Sequence, residues 1–403
     1  MKYAEVAVNS PAAQRRSFCY SVPPQLNIEV GQAVWVPFGP RRLQGIIISL
    51  SDTPSFEETR EIEGVITTSP LISSAHVELA RWMSDYYLAP LFDCIAPMLP
   101  PGFERHVESF VEAVSTGQIA ADMDAEEKRL LGWLELHKRT NIREIEKEWG
   151  KKNTARMLKD LLQRGLVKKR EELSPARLKP KTEQMLVLRP DALRGMTDQG
   201  RSTTRKQAQI VEFLRTAGRP VAAADVRKEV KNTSVAIRAL VQNGVIAIVE
   251  REIRRNPLAR YSIEPAQAHA LTPGQEVAWR EIHAALLLSE GCPLPFLLQG
   301  VTGSGKTEIY LDALSAVVAQ GQTGICLVPE IALTPQTIQR FAARFGERIA
   351  IFHSDLLPGE QYDEWHRIAR GECDVVIGPR SALFVPQPHL GLIIIDEEHE
   401  WTY

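Results

Sequence analysis

The chain has 403 residues, of which 44% are hydrophobic and 24% charged, with 25 Gly, 26 Pro and a formal net charge of −2. That length implies two to four domains of about 150 residues each, and the balance excludes collagen-like and wholly disordered chains. Apolar runs such as 284–288 and 392–395 are far shorter than the roughly 18 residues of a membrane helix. The N-terminus lacks a signal-peptide pattern, and the five cysteines form no C-x-x-C pair, so neither a disulfide framework nor a zinc site is expected. The reading is a soluble cytoplasmic protein with no membrane segment.

Residues 1–104 read as a β-rich domain. Tyr3 to Val8 alternates apolar and polar, and 33–38 and 45–50 are short apolar runs around the turn Gly39-Pro40-Arg41-Arg42. A helix is predicted from an N-cap at Ser74 to about Tyr87, with Trp82, Tyr86 and Tyr87 as core rather than a base-stacking platform.

Two similar segments follow at an offset of 79: Leu158, Leu161, Leu162 and Gly165 match Ile237, Leu240, Val241 and Gly244. Each is one helix face ended by a left-handed glycine, followed by an apolar start running into a charge-laced stretch. With two helical patterns ahead of each, the order is that of winged helices, at 125–173 and 202–260, joined by a linker at 174–201 that carries a strand at 185–188. Residues 125–180 hold 16 Lys/Arg against 9 Asp/Glu and residues 202–260 hold 12 against 5, so two basic modules sit on an acidic remainder. Arg156, Lys159, Arg164, Lys168, Lys169 and Arg170, then Lys231, Arg238, Arg251, Arg254 and Arg255, are candidates for phosphate contact. A solvated spacer surface is the alternative. Base-specific reading is not expected, and this disfavours a sequence-specific transcription regulator.

From 268 onward the pattern becomes α/β. Strands are predicted at 296–299, 324–328, 349–352, 374–377 and 392–395, with helical patterns between most of them, which implies a doubly wound parallel sheet. Gly300-Val-Thr302-Gly303-Ser304-Gly305-Lys306-Thr307 fits the full phosphate-loop pattern after a strand and before an apolar helix. The glycines let backbone N–H groups meet phosphate, Lys306 reaches the β- and γ-phosphates, and Thr307 ligates Mg²⁺. Asp396 and Glu397 end an apolar strand on the same side; Asp396 suits the Mg²⁺ shell, and Glu397 the orientation or deprotonation of water. No histidine pair has zinc-ligand spacing, so no zinc is expected in this chain. A solvated or structural role is expected for His353, while His399 adjoins the Asp396 motif.

In order, Gln275, 300–307, 329–336, His353-Ser354, 378–384 and 396–399 resemble the first lobe of superfamily 2 helicases, most of all the primosomal protein N′ (PriA) replication-restart family. The N-terminal 16–20 and 36–39 are similar to that family's 3′-end-binding domain. The resemblance implies that the whole is an ATP-dependent 3′–5′ DNA helicase of replication restart, bound to forked and single-stranded DNA. It implies ATP and Mg²⁺ as cofactors, single-strand-binding protein and helicase-loading proteins as partners, and a place at the nucleoid. By the same resemblance Gln275 would read the adenine, while 329–336 with Thr334 and 378–384 with Arg380 would track one DNA strand. Phe18, Gly39 and Arg60 would pocket a nascent 3′ end, with Cys19 where the family often has Asp. The sequence contains no S-A-T motif, second lobe or zinc module, so the chain reads as the N-terminal part (lobe at 268–403) of a protein whose zinc lies further on. A non-enzymatic fork-binding protein with an incomplete nucleotide lobe is the alternative reading.

Overall fold

The computed structural model describes residues 2–401 apart from 11–12, 14–15, 40, 55, 57–58, 104–106, 115–122, 174–177, 179, 190–203, 231–232, 264–269, 288–294 and 302. The chain divides into two compact units. The first comprises Met1–Arg177 with Ser381–Pro388, and the second Leu178–Arg380 with His389–Tyr403.

The first unit opens with strands β1 (Lys2–Val8), β2 (Phe18–Val22), β3 (Ala33–Phe38), β4 (Arg41–Ser51), β5 (Arg60–Glu61) and β6 (Gly64–Val65). They form one sheet in the order β5-β2-β1-β4-β3-β6, antiparallel except for the β2–β5 pair. Because successive side chains of a strand face opposite ways, β4 sends Ile46 and Ile48 to one core and Ile47 to another. This two-sided burial explains why 45–50 reads as a continuous apolar run. Helices α1 (Ser74–Tyr87) and α2 (Leu91–Ile95) cover the Ile46 face with Val77, Ala80, Phe92 and Ile95. The cap of α1 is Ser73 rather than Ser74: its hydroxyl accepts from the His76 N–H at 3.3 Å. Phe384 packs against the same cluster, and His76 Nε2 donates to the Val385 carbonyl at 3.3 Å.

The unit continues with β7 (Val107–Ala113), α3 (Ala125–His137), β8 (Arg139–Asn141), α4 (Ile142–Trp149), α5 (Lys151–Gln163) and β9 (Val167–Leu173), the strands forming a sheet in the order β8-β7-β9. The second unit begins with β10 (Lys181–Leu188), α6 (Arg205–Ala217), β11 (Val221–Ala222), α7 (Ala223–Glu229), α8 (Ser234–Gln242) and β12 (Ile246–Ile253), in the sheet order β11-β10-β12. The sequence repeat is visible as hydrogen bonds. Leu166 N–H donates to the Leu161 carbonyl and Gly165 N–H to Leu162; Val245 N–H donates to Leu240 and Gly244 N–H to Val241. Both glycines have positive φ, 69° and 72°, and each ends its helix in a Schellman turn that sends the chain into a strand. The strand foreseen at 185–188 is longer and pairs antiparallel with β12 throughout, from Lys181↔Ile253 to Leu188↔Ile246.

The last region contains α9 (Pro273–Leu286), α10 (Lys306–Ala319), β13 (Thr323–Leu327), α11 (Pro335–Phe345), β14 (Ile349–Ile351), α12 (Pro358–Ala369), β15 (Val375–Gly378) and β16 (Leu390–Ile395). The four strands are parallel in the order β14-β15-β13-β16. The strand predicted at 296–299 does not form: those residues have no ladder, and Phe296 and Leu297 are exposed. An apolar run becomes a strand only when a neighbour takes up its N–H and C=O groups, and among the described strands none pairs with it. No described helix is long and apolar enough to cross a membrane.

Candidate functional site

The glycines of the phosphate loop are needed by its geometry. Gly303 and Gly305 have φ of 80° and 81°, a region that L side chains rarely enter. A Cβ on Gly305 would lie 2.3 Å from Gln275 Nε2, and one on Gly300 2.6 Å from Ser304 Oγ. Gly305 is the N-cap of α10, so the first N–H groups of that helix and its positive dipole end face the loop. Lys306 Nζ donates to the Gly300 carbonyl at 2.9 Å, closing the loop on itself. Thr307 stands half-buried in the first turn of α10. Thr302 lies outside the described residues.

Gln275 is tied into this loop. It completes a capping box with Thr272 at the start of α9, its Oε1 accepting from the Thr272 N–H, while its Nε2 donates to the Ser304 carbonyl at 2.8 Å. One side chain therefore joins the helix start at 272–275 to the phosphate loop.

Asp396 follows the last residue of β16 and donates its N–H to the Leu327 carbonyl. Its Oδ1 accepts from the Tyr310 hydroxyl at 3.1 Å, so the carboxylate is linked to the helix that carries Lys306 and Thr307. Burial, then the Asp396 carboxylate, pushes the Tyr310 phenol up from its ordinary range; the same two causes raise the Cys326 thiol. Glu397 has φ of 50°, a strained conformation for a non-glycine residue, and its carboxylate lies 3.5 Å from His399 Nε2. A hydroxyl and carboxylates are hard oxygen donors that suit Mg²⁺, which takes one or two protein ligands beside phosphate oxygens. Among the described residues there is no group of three or more His, Cys, Asp and Glu side chains that could hold a metal by themselves. The glycine cradle and this donor set therefore fit a magnesium–nucleotide better than a free ion.

A second constellation lies on the N-terminal sheet. Phe18 opens β2 and meets Phe38 edge-on, with ring centroids 5.1 Å apart. Arg60, in β5, donates to the Gly39 carbonyl at 2.9 Å. Tyr20, the register partner of Arg60, donates to the Pro37 carbonyl at 3.2 Å, and burial pushes its phenol up to about 12 despite the Arg60 charge. Gly39 is exposed with φ of 60°, and a Cβ there would meet nothing within 4 Å. Phe18, Gly39 and Arg60, scattered over some forty residues, thus share one end of the sheet, while Cys19 is buried.

The basic modules divide. Lys159 and Arg238 are exposed, and so is Arg156, which lies 3.6 Å from Glu126 and 3.8 Å from Asp124. Arg254 and Arg255, read from sequence as phosphate contacts, are instead committed to acids of α12: Arg254 to Glu364 at 2.9 Å, and Arg255 to Asp363 at 3.0 Å. Arg260 joins Glu360 in the same cluster. Lys231 lies outside the described residues. Thr334 caps α11, accepting from the Thr337 N–H, and exposed Arg380 begins a 3-10 turn. His353 is half-buried, and burial lowers its pKa. One side chain escaped the sequence reading and one group was misplaced by it. Tyr310 lies three residues after Thr307, on the helix face where a partner was to be sought. The aromatic cluster of α1 is not core: Trp82 and Tyr86 stack at 5.0 Å while 55% and 67% exposed.

A family model described as the 3′DNA-binding domain (3'BD) matches residues 5–100, and one described as DEAD/DEAH box helicase matches residues 272–403. The chain is 33% identical over its whole length to the "Replication restart protein PriA" of Bacillus subtilis, covering 49% of that protein. It is likewise 33% identical to the protein of the same name from Synechocystis, covering 48% of it. Over 27% of the chain, identity to the Treponema pallidum protein reaches 52%. The chain thus spans about half the length of the curated relatives it matches.

Proposed function

We propose that the chain, which is similar over its whole length to about half of the proteins named replication restart protein PriA, is the DNA-engaging and nucleotide-binding part of an ATP-dependent 3′–5′ helicase acting on stalled or repaired forks. The observation that carries the nucleotide reading is the junction of the phosphate loop with Asp396 through α10. The N–H groups of 303–307 take up the β-phosphate, and Lys306 exchanges the Gly300 carbonyl for the γ-phosphate. Gln275 releases Ser304 to read the adenine edge. Thr307 and Asp396 hold Mg²⁺, which when bound neutralises charge developing on the transferred phosphoryl group. Glu397 orients the attacking water and takes its proton.

The DNA reading rests on the sheet end that carries Phe18, Gly39 and Arg60. Phe18 offers a ring face edge for a terminal base or sugar, open Gly39 admits the ribose, and Arg60 answers its phosphate. The two three-helix modules with small antiparallel sheets are winged helices that clamp fork DNA through Arg156, Lys159 and Arg238. Thr334, at the N-terminus of α11, and Arg380 contact the backbone of the tracked strand. The domains are then 1–104, 125–173 together with β7, 202–260 together with β10, and 268–403, acting on cytoplasmic DNA together with single-strand-binding and helicase-loading proteins.

The test is Lys306→Ala in the complete protein. It abolishes ATP turnover and leaves fork affinity within about twofold, since surface changes away from the DNA contacts are near neutral. Loss of fork binding along with turnover contradicts the separation of the two sites.

A further inference from the structure

Asp396 stands half-buried one residue beyond β16. Its main chain is fixed by the bond to Leu327, which does not orient the carboxylate. The Tyr310 hydroxyl at 3.1 Å does, and it comes from the helix whose first turn supplies Lys306 and Thr307. A phenol is a donor at neutral pH, and a bond to an ionised acceptor is about twice as strong as one between neutral groups.

We propose that Tyr310 is a positioning residue of the nucleotide site, which fixes the orientation of the Asp396 carboxylate relative to Thr307 so that the two meet Mg²⁺ together. This rests on the reading of 300–307 as a nucleotide site. The tyrosine touches neither nucleotide nor metal; it acts through Asp396, as an outer partner of a metal ligand. Placing it on α10 makes the two metal ligands one unit, because the helix that presents Thr307 also sets Asp396.

The test measures binding of a fluorescent ATP analogue to the full chain in Mg²⁺ and in EDTA. Tyr310→Phe keeps the ring and deletes only the hydroxyl. Loss of an outer-shell partner costs about 10- to 100-fold in metal affinity, so the Mg²⁺-dependent gain in affinity falls at least about tenfold in this variant, with EDTA affinity unchanged. In an Asp396→Asn background Tyr310→Phe has no further effect on that gain. An equal gain in wild type and variant overturns the inference. So does an equal loss with and without Mg²⁺, which would mark a structural role, and so does full additivity with Asp396→Asn. If the wild-type chain binds the analogue with no Mg²⁺-dependent gain, the nucleotide-site reading itself falls and takes this inference with it.

Discussion

Glu364→Gln removes the charge at the centre of the cluster that ties the end of β12 to α12. The Glu364 side chain is 1% exposed and accepts from Arg254 Nη2 at 2.9 Å and Arg367 Nη1 at 2.9 Å. Removing one partner of a buried ion pair costs about 3–5 kcal/mol, because the remaining charge stays desolvated. Arg254 is 27% exposed and can rehydrate, whereas Arg367 is 8% exposed and cannot. The low end, about 3 kcal/mol, is therefore expected. At about 2–4 °C per kcal/mol for a unit of this size, the thermal midpoint of the second unit falls about 6–12 °C. Calorimetry on the full chain reads this directly, and Arg254→Met separates the pair. In the Glu364→Gln background, Arg254→Met costs at least about 1 kcal/mol less than in wild type, since the two groups share one contact. A fall under about 2 °C, within the range of an ordinary surface change, or strict additivity of the two substitutions, refutes the reasoning.

The Schellman turns at Gly165 and Gly244 share φ and hydrogen-bond pattern, so Gly165→Ala and Gly244→Ala each cost about 1–2 kcal/mol for a left-handed alanine; urea melts showing a loss at one site alone contradict the repeat. Burial lowers the pKa of His76, His353 and His366, the last helped by the Arg370 charge. The unfolded chain then binds more protons near pH 6 than the folded one, so their contribution is complete above about pH 6.5 and is lost as pH falls towards their folded values. Stability measured in urea declines from pH 7.5 to 5.5, less steeply in His76→Gln; a rise over that range reverses the assigned sign.

What could be read in the sequence was what local geometry dictates. The phosphate loop needs glycines at left-handed positions, and Gly303 and Gly305 take them. The 79-residue repeat kept both its apolar face and its terminator, so the same two hydrogen bonds recur. What could not be read depends on partners remote in sequence. Arg254 and Arg255 look like any exposed cations until Asp363 and Glu364, over a hundred residues away, meet them. The run at 296–299 has the composition of a strand, but no described strand pairs with it. The α1 aromatics were legible and misjudged: at about 100° per residue, Trp82 and Tyr86 lie about 140–180° around the helix from Val77, on the outer face. Tyr310 could have been sought one turn beyond Thr307, but its distance to Asp396 comes only from the fold.

The most direct measurement is the affinity of this chain for a model fork ending in a nascent 3′-OH against the same fork ending in 3′-phosphate, at two salt concentrations. Contacts to phosphate alone weaken with salt and ignore the end. A pocket built by Phe18, open Gly39 and Arg60 predicts a preference for the 3′-OH of at least about threefold, the worth of one hydrogen bond, that persists at the higher salt. Equal affinity for both ends at both salts contradicts the end pocket and leaves the basic modules as a general clamp.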